Sequence, residues 1–259
     1  MLSCGVKIMD LKYKPKHYLV ALWVGLISLT MGVGYCVLED HSWWWLIGTW
    51  AVYSLMAIVN SAGFHRLFSH RSYKTTPFWE WFFLICGTLS AYGSSLQWTV
   101  HHTQHHKYAD TDRDPHNFKT PWDFFRVNYL VDRLDFASLR AIKHLLKKPG
   151  HKWVHEHYWL FPGSMILFLL LFFPTALMYL YLAPIGLVIF SAAMFNYVAH
   201  DDSGPNSSGW WTLVSSGEFR HDFHHDHPER WDLRREWYDV DPGAMLISLI
   251  RTGDGTWEP

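Results

Sequence analysis

The chain has 259 residues, enough for one domain with a sizeable core, and a formal charge of -1 at pH 7. That balance offers no basic excess for phosphate backbones and argues against a nucleic-acid partner. The three cysteines, Cys4, Cys36 and Cys86, form no CxxC, which argues against a disulfide framework or a thiolate metal site. What remains distinctive is 18 histidines and 16 tryptophans.

In chain order, residues 1–16 are polar and carry Lys7, Lys12, Lys14 and Lys16, and then Tyr18 to Leu38 runs without a charge. That is a membrane-spanning length, and the lysines before it place the N-terminus on the cytoplasmic side. A second uncharged run, Trp43 to Phe64, opens with three tryptophans suited to a membrane interface, so His65 and His70 emerge on the cytoplasmic side again. Pro77 to Leu96 is apolar at first but loosened by Glu80, Gly87 and Gly93. It reads as a membrane-embedded or interfacial helix that returns to the side it left, because a crossing would strand the next histidines across the bilayer. Residues 107–157 form a polar lobe. Tyr158 to Ala199 is again uncharged and long enough for two helices, a hairpin expected to turn near Ala183-Pro184. After the last polar segment, Asp241-Pro242 predicts a capped short helix to Ile250.

These readings give an all-α integral membrane protein in one domain, residues 1–259. Four transmembrane helices (18–38, 43–64, 160–181 and 184–199) carry a cytoplasmic helical cap, residues 65–157 and 200–259, that holds a dinuclear metal site.

The metal expectation rests on the histidines. His102-Thr-Gln-His105-His106 places three imidazoles at i, i+3 and i+4 of a helix, where they share a face. The pattern recurs at His221-Asp-Phe-His224-His225, and His65 and His70 form a looser pair five apart. Buried ring nitrogens at that density need partners, and metal ligation provides them. Eight candidate nitrogens exceed what one zinc ion takes and suffice for two ions with open positions. Imidazole alone leaves zinc, copper, iron and nickel open. Two ions above an apolar stalk suggest oxygen chemistry on an apolar substrate, for which iron is the usual ion.

These motifs together resemble the membrane-bound fatty acid desaturases with three histidine boxes, in particular the acyl-CoA and acyl-lipid delta-9 type. Gly63-Phe-His65 to Tyr73 is similar to the first box with its flanks. His102 to Tyr108 with Thr111 to Asn117 resembles the second, and Gly217-Glu-Phe-Arg-His221 to His225 the third. Asn196-Tyr-Val-Ala-His200 looks like the additional Asn and His of that family. The resemblance implies a centre of two Fe2+ held by His65, His70, His102, His105, His106, His200, His221, His224 and His225, with Asn196 acting through a water and O2 as co-substrate. It implies removal of two hydrogens from neighbouring methylenes of a fatty acyl chain, carried on CoA, a carrier protein or a membrane lipid, to leave a cis double bond. Asp112, Asp201, Asp222 and Glu218 are candidates to orient the rings. No haem or iron–sulfur motif is present, so electrons come from an external ferredoxin or cytochrome b-type donor. Thr103, Arg220 and Asp222 depart from the family's usual residues, which leaves acyl carrier and regioselectivity open, and a related di-iron hydroxylase or acetylenase is the nearest alternative to a desaturase.

Other readings weigh against these. His101 and His105 form an alternative i, i+4 pair. His151, His155 and His157 read as an interfacial helix, His116 and His227 as ring-supporting or surface residues, and His17, His41 and His144 as surface. A membrane zinc hydrolase needs only three or four of the ligands, and a metal transporter or sensor would carry its ligands inside the spans.

Overall fold

The computed structural model describes residues 11–12, 14–117, 120, 122–126, 134–201, 204–207 and 216–253, and it is mostly helical. Helix α1, Pro15–Leu38, starts with a proline in its first turn, where a missing N–H costs nothing. Helix α2, Trp44–Val59, continues without a break into a π-helical stretch, Asn60–Ser69. Helices α3, Pro77–Leu89, and α4, Ser95–Tyr108, are joined by a turn with Ala91 and Gly93 at positive φ. The Ser94 hydroxyl and the Gln97 side chain close a reciprocal cap on α4. Short helices follow at Asp123–Arg126 (α5), Phe136–Ala141 (α6), Lys143–Leu146 (α7) and Pro149–Glu156 (α8), and then α9 at Leu160–Phe172.

Three helices are long and apolar enough to cross a membrane: Lys16–Leu38, Trp44–Ser69 and Pro174–Val198. Helix α9 has 13 residues, about 20 Å of rise against a hydrocarbon core of about 30 Å, so three of the four expected spans have membrane-length helices and the other expected span holds a shorter apolar helix. The expected turn at Ala183-Pro184 is not there. The chain breaks at Phe173, whose φ of -145° and ψ of 60° leave the helical region before Pro174. It then runs continuously through α10 (Pro174–Leu177), a π-helical turn (Met178–Leu182) and α11 (Ala183–Val198). Pro184 stays inside because the π turn ahead of it widens the ladder where its ring and missing N–H would otherwise interrupt the helix.

Helix α1 crosses α11 with Gly25 against Gly186, so closely that a Cβ on Gly186 would come within 2.6 Å of the Gly25 backbone. Leu22, Tyr53, Leu177, Tyr181, Ile185 and Val188 fill one core between α1, α2 and α11. A second core gathers Phe64, Phe68, Phe83, Leu96, Val100 and Ile142 beneath α3 and α4.

A two-residue hairpin, β1 (His200–Asp201) and β2 (Gly204–Pro205), adds a small strand pair to the expected all-α fold. Helix α12, His221–Asp226, and α13, Pro242–Ile250, complete the described chain. As the sequence predicts, the Asp241 side chain caps α13, accepting from the Ala244 N–H at 2.8 Å.

Candidate metal centre

Each histidine segment reaches the centre by a different local device. In an α-helix, residues five apart point about 140° from one another. The i→i+5 ladder of Asn60–Ser69 instead brings residues five apart toward one row, and the His70 N–H donates to the His65 carbonyl at 3.1 Å. The rings of His65 and His70 therefore meet with centroids 4.8 Å apart. That device is invisible to a reading that assumes 3.6 residues per turn.

The two HxxHH segments do not each serve one ion. The ring nitrogens fall into two groups, His65, His70, His102, His106 and His224 in one and His105, His200, His221 and His225 in the other, with the candidate ligand atoms of each group within 4.8 Å of one another. On α4 the i, i+4 pair His102 and His106 joins the first group and His105 the second. On α12 the i, i+4 pair His221 and His225 joins the second group and His224 the first. The helices exchange one histidine each, which ties the two groups into a single cluster.

Within the groups, Nε2 atoms approach closely: His70 and His102 at 2.7 Å, His65 and His224 at 2.9 Å, His106 and His224 at 2.9 Å, and His200 and His221 at 2.9 Å. Two ligands at right angles, each about 2.1 Å from an ion, lie about 3.0 Å apart, whereas tetrahedral ligands lie about 3.4 Å apart.

The outer nitrogens decide which way the lone pairs face. His65 Nδ1–H donates to Glu218 Oε1 at 2.9 Å, His105 Nδ1–H to Asp114 Oδ1 at 2.9 Å, and His200 Nδ1–H to Asp110 Oδ1 at 3.0 Å. Each ring then presents a bare Nε2 inward, and His105 Nε2 is buried with no hydrogen-bond partner among the described residues. Converging lone pairs repel unless a cation lies between them, so this donor set fits metal ions.

Burial favours the neutral form that ligation requires at His70, His102, His106, His200, His221, His224 and His225. Desolvation, reinforced by the neighbouring rings, holds His70, His102, His106, His221 and His224 well below the usual imidazole range and His225 at about 2. Burial works to raise the carboxyls of Asp114 and Glu218. The His105 hydrogen bond outweighs it at Asp114, and His65 and Arg66 outweigh it at Glu218, so both are held at about 2.

The carboxylate expectations need correction. Glu218 meets a ring as expected, but the other carboxylates in that role are Asp110 and Asp114, not Asp112 and Asp222. Asp112 is exposed. Asp222 accepts from the Ser207 hydroxyl and the Phe223 N–H. The Asp201 side chain lies outside the described residues. The rule that a carboxylate near a box orients it fails here because direction, not sequence distance, decides. Asp110, at positive φ, starts the turn that follows α4 and aims back at His200, and Asp114 folds under His105.

Glu218 is placed by Gly217, at φ +103°, where a Cβ would lie 2.0 Å from Asp241 Oδ1. Its Oε1 also accepts from Ser61 at 2.6 Å and Arg66 at 3.2 Å.

The remaining histidines separate from the centre. His101 belongs to neither group, and its Nε2–H donates to the Leu11 carbonyl at 3.1 Å. His151 and His155 are buried and pair with the Ser95 and Ser94 hydroxyls at 2.8 Å and 2.7 Å, so α8 pins the start of α4 rather than lying only at an interface. His144 is half-buried, with Nε2 2.9 Å from the Phe68 carbonyl, and His41 pairs with the Tyr179 hydroxyl at 3.2 Å, so neither is a free surface residue. His116 stands beside His105 with ring centroids 5.3 Å apart.

A cavity of about 150 Å³ opens onto the centre between α1, α2 and α11. Tyr18, Ala57, Tyr92, Ile189, Ala193 and Asn196 line its sides, and His65, His102, His105 and His221 form its floor.

Against known proteins, the family model described as fatty acid desaturase matches residues 42–244. The chain is 28% identical to the sn-1 stearoyl-lipid 9-desaturase of Anabaena variabilis, covering 73% of this chain and 74% of that protein. It is 28% identical to the stearoyl-CoA desaturase of Capra hircus, over 91% of this chain and 75% of that protein. It is likewise 28% identical to a probable acyl-CoA desaturase of Schizosaccharomyces pombe, of which it spans 45%. The matched segment takes in all nine clustered histidines, and with it the chain belongs to the fatty acid desaturase family of oxidoreductases.

Proposed function

We propose that this protein is an oxygen-dependent di-iron fatty acyl desaturase that introduces a cis double bond into an acyl chain with electrons from an external ferredoxin or cytochrome b-type donor. The observation that carries the reading is the pair of buried to half-buried imidazole groups, five and four strong, facing a cavity among membrane-length helices. His65, His70, His102, His106 and His224 would hold one iron, and His105, His200, His221 and His225 the other. Asn196, near the end of α11 and four residues before His200, would complete the four-histidine group through a water. The reduced iron pair, with O2, would supply the oxidising chemistry that takes hydrogen from two neighbouring methylenes.

The rest falls to the chain. Glu218, Asp114 and Asp110 fix the tautomers of His65, His105 and His200, so each ring keeps its lone pair inward through the cycle. The walls from α2 and α11 seat the acyl chain and keep bulk water from the oxidising site. The three long helices and α9 form a four-crossing stalk, and the histidine cluster lies in a cap on the cytoplasmic side, where a soluble donor reaches it. The relatives' names place their own substrates on lipid or on CoA; a fatty acyl chain is what those names share.

The deciding experiment measures metal content on purified protein and the fatty-acid profile of a host that expresses the chain with a compatible donor. Two irons per chain and a new cis-unsaturated species are expected. Two irons with a hydroxylated product would keep the site and overturn the reaction, and a zinc protein that iron cannot reactivate would overturn both.

A further inference from the structure

The cavity is more polar than an unsubstituted hydrocarbon needs. Asn60 lies one i→i+5 step before His65 on the π-helical stretch, so 60, 65 and 70 share a row. Its side chain lines the cavity with a relative exposure of 8%, and its Oδ1 has no hydrogen-bond partner among the described residues. Trp98 lines the same cavity, stacked on His102 with centroids 5.8 Å apart, and its buried Nε1–H also lacks an acceptor.

Neighbouring hydroxyls do not raise the same demand. Ser61 already donates to Glu218 and Ser191 to the Val188 carbonyl, and the Asn196 amide donates to the Ala192 carbonyl. Ala57, Ala91, Ala192 and Ala193 leave room around the two unmatched groups.

A plain methylene chain would leave an acceptor and a donor desolvated and unpaired, a cost that grows with the fit of the chain. A hydroxyl has the chemistry for both demands, because it donates and accepts at once. Resting on the acyl reading above, we propose that the preferred substrate is an acyl chain bearing a hydroxyl near the methylenes that react, paired with the Asn60 amide and the Trp98 indole N–H. Asn60 is then a specificity-determining residue. An ordered water in place of the hydroxyl is the competing occupant, and it predicts no preference among chains.

The test offers membranes containing the full chain and its donor an equal mixture of an octadecanoyl substrate and its monohydroxy analogues, with the hydroxyl stepped along the chain. Product ratios by mass spectrometry give the relative kcat/KM. One hydroxyl position is expected to be used roughly tenfold better than the plain chain, and Asn60→Leu to erase about that factor from the product ratio. Trp98→Phe, which keeps a ring against His102, is expected to lose a similar part of the preference. Equal use of all chains by the wild type, or an unchanged preference in Asn60→Leu, overturns the proposal.

Binding separates the two levels. The unfolding midpoint of the detergent-purified chain, measured with each acyl compound, needs no turnover. A hydroxyl-selective, Asn60-dependent shift without desaturation would sink the reaction and keep the pocket; desaturation of the plain chain with no selective shift would do the reverse.

Discussion

Asp114 offers the sharpest test of how the histidines are held. Its side chain is 2% exposed, it accepts the Nδ1–H of His105 at 2.9 Å, and it also accepts the backbone N–H groups of Asp110 and His116 at 3.0 Å and 2.8 Å. Asp114→Asn keeps the shape and one oxygen acceptor but removes the charge. A hydrogen bond to a charged group contributes about 1.5–3 kcal/mol and a neutral one about 0.5–1.5, so the substitution loses about 1–1.5 kcal/mol at His105. That corresponds to roughly tenfold weaker binding at the four-histidine group, at the low end of the 10–100-fold range for groups that support metal ligands. The assay titrates purified protein with chelators of graded strength and measures retained iron. On the proposed di-iron reading, Asp114→Asn should give up one iron at about a tenth of the chelator strength the wild type withstands, while the five-histidine group holds the other. Asp222→Asn, which touches no clustered ring in the described network, should change retention less than twofold. If Asp222→Asn released iron and Asp114→Asn did not, the assignment of supporting carboxylates would be wrong.

Further outcomes follow from the same geometry. His105→Ala or His224→Ala should abolish desaturation, by at least about a hundredfold, while the protein still inserts in the membrane; full activity in both variants would refute the grouping. Gly186→Leu forces side-chain atoms into the Gly25 backbone and should destabilise the α1–α11 crossing by about 1–3 kcal/mol, read as a lowered unfolding midpoint in detergent. His151 is pushed by burial, with help from Lys148 and His144, from its ordinary 6.5 to about 3. Because its folded value lies below its unfolded one, protonation favours the unfolded chain. Its contribution is complete above pH 6.5 and is lost as pH falls toward about 3, by about 1.4 kcal/mol per pH unit. The stability difference between wild type and His151→Asn should therefore shrink over that window, and a constant difference would contradict the buried, neutral assignment.

Much of the centre was legible because metal ligation is a demand on residue type. The HxxHH segments and the uncharged runs declare themselves in composition and spacing, and the requirement that all boxes share a site is consistent with the turn between α3 and α4. What failed were matters of direction and competition. Both Pro174 and Pro184 are legitimate helix breakers, and only packing selects between them. With Gly186 seated on Gly25, α11 gains from being continuous, and the break falls at Phe173 instead. His151 and His155 looked interfacial because nothing local announces Ser94 and Ser95 more than 50 residues away.

Residue type and spacing are enough for the inventory: eight imidazoles in three segments, with His200 added by the family resemblance, and apolar lengths that match a bilayer. Tertiary structure decided the assignments. It divided each HxxHH segment between two groups, replaced α by π geometry so that His65 and His70 converge, and chose Asp110, Asp114 and Glu218 over nearer-looking carboxylates. The reason is physical. Residue type fixes what an atom can bond to, but where its lone pair points depends on helix register and on neighbours far away in the chain, and those exist only once the chain has folded.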